Sequence, residues 1–144
     1  MIGIGSDHGG YTLKEHLKEY LGKKGYEVKD FGAYTPDSID YPDVAKPVCD
    51  SVVNGECECA ILVCGTGIGM SIAANKVKGI RAAHVTDSFS ARMTKEHNNA
   101  NVICLGERIT GVEIANEIVN AYLNAEFAGG RHENRVNKIM NLEK

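Results

Sequence analysis

The stretch AILVCGTGIGMS, residues 60–71, decides the fold. Residues 60–64 are apolar without alternation, which suits a strand covered on both faces at the centre of a parallel sheet. Gly65, Gly67 and Gly69 then make a tight turn that feeds a helix over 68–75. Such a turn aims backbone N–H groups at one point, and a helix dipole adds positive potential there. The loop therefore suits a phosphate or a developing oxyanion. Cys64 stands on its lip.

The same strand-then-helix rhythm runs outward from this stretch. Residues 1–5 form a short strand, and 11–24 a helix with Leu13, Leu17, Tyr20 and Leu21 on one face, ended by Gly25. Residues 26–31 are a strand, and 32–41 a loop carrying Pro36 and Asp37. A helix over 44–53 turns Ala45, Val48 and Val52 inward, with Pro47 as a kink or a later start. A strand over 80–85 leads to Asp87, which caps a helix running to about His97. Residues 101–105 are a strand, and 111–125 a helix that buries Ala115, Ile118, Val119, Tyr122 and Leu123. Gly129 and Gly130 form a hinge before a last helix over 131–142. Its Val136, Ile139 and Met140 must pack on their own core or on a partner subunit. The alternation predicts an α/β fold, one domain over 1–144, with an open parallel sheet covered on both faces.

Composition narrows the function. The chain has 144 residues, 43% hydrophobic and 24% charged, with a formal net charge of −3. That balance argues against a general nucleic-acid binder. No apolar run reaches the roughly 20 residues a membrane span needs, and the N-terminus lacks a signal-peptide pattern. Five cysteines without framework spacing suggest reduced thiols in a cytoplasm. Cys57 and Cys59 have no second thiol pair at zinc-site spacing, so no metal site is expected.

Ligands bind outside the carboxyl ends of strands in such sheets. That rim carries Asp7 and His8, then Cys64 and its loop, then Thr86 and Asp87, then Glu107 and Arg108. Neither GTGIGM nor GIGSDH completes GxGxxG, because Met70 and His8 occupy the third glycine's place. A Walker A loop lacks its Gly-Lys-Ser/Thr, and a thiol phosphatase loop would need arginine where Met70 stands. Cys64 reads as a small core hydrophobe or, beside a helix N-terminus, as a thiolate able to act as nucleophile or base. Asp7 caps the helix that follows, serves chemistry, or does both, and His8 is suited to proton transfer. His97 at a helix end reads as a dipole partner, and Asn98 suits sugar hydroxyls. Arg131 and Arg135, four residues apart, form either a phosphate clamp or a solvated basic face.

In chain order, GSDHGG (5–10), DYPD (40–43), CGTGIG (64–69), GIRAA (79–83), KEHN (95–98), LGER (105–108) and GGRHENR (129–135) resemble the ribose-5-phosphate isomerase B family. That family also includes galactose-6-phosphate isomerase subunits. The resemblance implies a Rossmann-like three-layer sandwich with a five-stranded parallel sheet plus a C-terminal helix. It implies a homodimer or dimer of dimers with shared pockets. It also implies a metal-free, cofactor-free interconversion of ribose 5-phosphate and ribulose 5-phosphate. By resemblance, Cys64 is the base, His97 helps open the sugar ring, and Thr66 lies beside the reacting carbons. Asp7, His8, Asn98 and the backbone of Gly65, Thr66, Gly67, Ile68 and Gly69 would contact substrate, and Tyr41 would line the pocket. Arg108, Arg131 and Arg135 would hold phosphate, and His97, Asn98 and Arg108 would come from the neighbouring subunit.

Asn134 stands where many relatives have arginine. A branch of the family replaces the cysteine by serine and uses a downstream acid. Here the cysteine is kept and Asn75 and Lys76 follow, which places the chain in the cysteine branch. The rival readings are a 6-phosphate hexose isomerase, for allose or galactose phosphates, and a nucleotide-binding regulatory module.

Overall fold

The computed structural model describes residues 1–144. Its strands are β1 (Ile2–Ser6), β2 (Val28–Asp30), β3 (Cys59–Cys64), β4 (Ala82–His84) and β5 (Val102–Gly106). Its helices are α1 (Tyr11–Lys23), α2 (Tyr41–Val53), α3 (Ile68–Ala74), α4 (Ser88–Asn98), α5 (Val112–Leu123) and α6 (Arg131–Asn141). A 3₁₀ turn over His8–Gly10 joins β1 to α1. All strand pairs are parallel, in the order β2-β1-β3-β5-β4. The fold is the open parallel α/β sheet that the alternation predicts, in the Rossmann-like five-stranded form that the family resemblance implies.

Strand parity sorts the core into two layers. Cys59, Ile61 and Val63 of β3 pack with Leu13, Leu17 and Leu21 of α1, Ala91 of α4 and Ala115, Ile118 and Val119 of α5. Ala60, Leu62 and Cys64 face the other way, against Val44, Ala45 and Val48 of α2 and Met70 and Ala74 of α3. Cys64 is thus both the last residue of the central strand and part of the α2/α3 layer. The chain leaves β1 toward α1 on one face and β3 toward α3 on the other. The adjacent carboxyl ends of β1 and β3 therefore open a crevice, the usual ligand position in open sheets of this kind.

Two edges differ from the expected boundaries. The strands read over 26–31 and 80–85 shrink to β2 and β4, because each pairs on one side only. Apolar patterning reports burial and not pairing, so it overextends an edge strand. Helix α2 begins at Tyr41, inside the stretch read as a loop. Asp40 is its N-cap, Pro42 occupies its opening positions and Asp43 lies in its first turn, all good starting chemistry. Pro47 sits inside the helix and does not start it.

Lys14 is fully buried on α1, one position off the apolar stripe. Its ammonium donates to Asp30 Oδ1 and Oδ2 at 3.1 and 2.9 Å and to the Ala33 carbonyl at 2.7 Å. Lys18 reaches the same carboxylate at 3.0 Å. Asp30 also accepts the Gly32 N–H at 2.9 Å. This network fastens the segment after β2, which in turn meets the site: Ile39 N–H donates to His8 Nδ1 at 3.2 Å.

Candidate active site

The turns after β1, β3 and β5 interlock at the carboxyl end of the sheet. Asp7 is buried, and its carboxylate accepts the Gly10 N–H at 3.1 Å, so it caps the turn that leads into α1. A side chain at Gly10 would meet the Val63 carbonyl at 2.5 Å, so only glycine lets this turn lie against β3. His8 stays exposed beside it.

The loop after Cys64 is shaped by Gly67, whose φ of 82° lies in the left-handed region that favours glycine. The Gly67 N–H points back at Cys64 Sγ at 3.1 Å. The loop thus aims an amide at the sulfur, a contact suited to negative charge there. Ile68 N–H donates to Thr66 Oγ1 at 3.3 Å, and Thr66 is exposed at the rim. The Tyr41 ring lies over Gly69, where a Cβ would come within 2.8 Å of Tyr41 Cε1. The Arg108 guanidinium lies against Gly65 of its own chain, where a Cβ would be 3.0 Å from Nη1. Arg108 was expected from the neighbouring subunit; one chain alone places this cation beside the loop.

Cys64 alone among the five cysteines ends a strand at the glycine loop. Burial pushes Cys49 up to about 12 and Cys59 up to about 11, and holds Cys104 well above its ordinary value. These three are kept as neutral core thiols. Cys57 is buried just before β3, and no group of three or more His, Cys, Asp or Glu side chains is placed to hold a metal ion.

His97, Asn98, Arg131 and Arg135 are not at this rim. Crossover helices run antiparallel to the strands, so α4 starts near their carboxyl ends and finishes near their amino ends. The Asn98 carbonyl accepts from Arg81 Nε at 3.2 Å, one residue before β4 begins. Ala82 pairs with Val102 at that amino end, whereas Cys64 pairs with Gly106 at the other. Rising about 3.3 Å per residue, β5 separates these two levels by about 13 Å. The His97 ring stacks on His132 with centroids 4.2 Å apart and planes 8° apart, which brings α6 and its arginines to the same end. Loss of water around its ring, then the charges of His97, Arg131 and Arg135, push the His132 imidazole below its ordinary value. The cluster is positive and makes no salt bridge within the chain. It suits an anion.

So one chain carries two half-sites. The first holds Asp7, His8, Tyr41, Cys64, the 65–69 loop and Arg108. The second holds His97, Asn98, Arg131 and Arg135. Between α2 and α3 a groove of about 770 Å³ borders Tyr41 and Gly69, and its wall includes Val53 and Ile72, which are 53% and 60% exposed. The sequence places Glu107 at the rim without giving it a role, and gives no sign of His84, which lies against Gly67. His84 ends an edge strand whose length apolar patterning overstated.

A sequence profile described as Ribose/Galactose Isomerase matches residues 2–139. The chain is 44% identical to ribose-5-phosphate isomerase B of Escherichia coli, over 99% of this chain and 95% of that one. It is 46% identical to D-erythrulose-4-phosphate isomerase of Pectobacterium atrosepticum, over 96% of this chain and 91% of that one. Its fold superposes on a solved structure of Clostridium thermocellum ribose-5-phosphate isomerase B with a TM-score of 0.97 and 56% identity, covering 99% and 96% of the two chains.

Proposed function

The chain belongs to the ribose/galactose isomerase family, and from that membership we propose that it interconverts D-ribose 5-phosphate and D-ribulose 5-phosphate. The observation that carries the reading is the Cys64 sulfur at the end of β3, with the Gly67 amide turned onto it and Arg108 alongside. A base for a carbon acid and donors for the oxyanion it leaves behind stand within one turn of each other.

The proposed steps follow from those groups. His97 of a second copy moves a proton to open the sugar ring. The Cys64 thiolate takes the proton from C2 of the open aldose, the electron pair forms C1=C2, and negative charge builds on O1. The free amides of the 65–69 loop stabilise that charge, as an oxyanion hole does. Cys64 returns the proton to C1 while the O2 proton passes to O1, with Thr66 beside the two oxygens. The ketose is formed with no net change in protons. Arg108 with Arg131 and Arg135 hold the phosphate as paired guanidinium donors. This route draws its electrostatics from amides and guanidinium groups and calls for neither metal nor cofactor.

Because the two half-sites lie at opposite ends of the sheet, a complete pocket takes a second copy of the chain. The groove between α2 and α3, apolar and continuous with Tyr41 and Gly69, supports such a partner. A homodimer, or a dimer of dimers, supplies both halves. The five free cysteines fit a reducing cytoplasm, and no helix is long and apolar enough to cross a membrane.

A purified sample with EDTA should convert ribose 5-phosphate faster than erythrulose 4-phosphate or allose and galactose 6-phosphates, as read from product by NMR. A faster six-carbon or four-carbon reaction would move the substrate assignment and leave the chemistry. Arg135→Ala should raise KM about tenfold and lower kcat less, since remote binding energy also orients the reacting end. An unchanged kcat/KM would remove Arg135 from the phosphate site.

A further inference from the structure

Glu107 is the residue of the LGER stretch that the chemistry above does not use. Its carboxylate Oε1 accepts the Leu13 N–H at 2.7 Å, across 94 positions of sequence. Leu13 is the third residue of α1, so its amide is one of the helix's orphan donors. Gly10, the N-cap of that helix, contributes no side-chain hydrogen bond, and the first turn contains no acid. Glu107 supplies both the missing acceptor and the missing negative charge.

The backbone around Glu107 is tied to the catalytic loop. Glu107 N–H donates to the Cys64 carbonyl at 2.9 Å, and Arg108 N–H donates to the Gly65 carbonyl at 3.0 Å. The turn after β5 is therefore bonded to the turn after β3 through the main chain, and to the start of α1 through one side chain. Asp7 and His8 lie immediately before that start. Gly9 sits so close to the loop that a Cβ there would be 3.2 Å from Gly65 N. We propose that Glu107 is a positioning residue: it clamps the Asp7–His8 turn to the Cys64 loop and to Arg108. The three turns then keep one register while substrate reacts.

The proposal rests on the isomerase reading above, and the test separates the two. Glu107→Ala removes the acceptor, whereas Glu107→Gln keeps an oxygen in place and removes the charge. Glu107→Ala should lower kcat by roughly tenfold to a hundredfold per folded molecule, the cost of a small misplacement of reacting groups. KM should move less, because the phosphate contacts remain. Glu107→Gln should recover most of that loss. Amide exchange followed by NMR gives a readout independent of substrate: the hydrogen-bonded amides of Leu13, Gly10, Glu107 and Arg108 should all exchange faster in Glu107→Ala and regain protection in Glu107→Gln. If ribose 5-phosphate proves the wrong substrate, this exchange pattern still decides the clamp. Faster exchange at Leu13 alone, or unchanged kcat in folded Glu107→Ala protein, would overturn it. A loss of activity that only tracks a loss of folded protein would show a purely structural role and overturn it equally.

Discussion

Cys64→Ala should lose isomerase activity by roughly a hundredfold to ten-thousandfold in kcat, the range for removing a positioned proton-transfer group. KM should change little, because the thiol reaches for C2 and not for the phosphate. The fold should persist. Cys64 is buried at the end of β3, and trimming it to alanine removes one sulfur and leaves the Gly67 N–H without its acceptor. The stability cost should stay within about 1–3 kcal/mol. Steady-state kinetics beside thermal unfolding separates the two effects. In deuterated water the parent should place deuterium on the transferred carbon position, and Cys64→Ala should not. Activity within tenfold of the parent would exclude Cys64 as the base while leaving the loop as an anion site.

Lys14→Met should be the most destabilising of the substitutions considered, costing about 3 kcal/mol, because it leaves a largely buried carboxylate with one fewer cation. Methionine keeps most of the volume, so the loss reports the charge and its three hydrogen bonds and not a cavity. Lys18 stays on Asp30 at 3.0 Å, which keeps the cost near the lower end for a broken buried pair. The network also sets an acid limb. Burial by itself would raise the Asp30 carboxyl, but the Gly32 N–H and the Lys14 and Lys18 ammonium groups outweigh it and hold the group below its ordinary range. A depressed folded-state value contributes stability that is full above the unfolded value of about 3.9 and is lost as pH falls through the folded one. The parent should therefore lose stability below about pH 4 more steeply than Lys14→Met. Urea titrations at neutral and acid pH read both effects. A neutral-pH difference under about 1 kcal/mol would show that the buried pair contributes nothing net.

The contrast between Cys64 and Lys14 shows what the sequence makes legible. The run AILVC is apolar on both faces, so it announces a central strand, and the glycines after it announce a turn. Strand ends then locate the rim, and Asp7, His8, Cys64 and Arg108 follow from position alone. Tyr41 was placed by resemblance, although Asp40 and Pro42 already carried the signal of a helix start. Lys14 gives no such signal, because a lysine beside an apolar stripe is ordinarily solvated. Its burial depends on Asp30 and the Ala33 carbonyl arriving from another element. Glu107 is placed at the rim by position, but its role is hidden for the same reason, since its partner lies 94 positions away. The second half-site was legible as residues but not as a place. The resemblance assigns His97 and Asn98 to a neighbouring subunit, and the direction of α4 relative to the sheet gives the physical reason, since both end far from Cys64 in the same chain.

That separation makes a shared pocket the central claim, and complementation tests it most directly. Cys64→Ala and His97→Asn would each be purified alone and also co-expressed, then assayed with ribose 5-phosphate. Each variant alone should be nearly inactive. If Cys64 of one copy works with His97 of another, random pairing makes half the dimers mixed, and each mixed dimer regains one intact pocket of two. Co-expressed protein should then recover about one quarter of parental activity. Mixed assemblies no more active than the variants alone would contradict a pocket built from two copies.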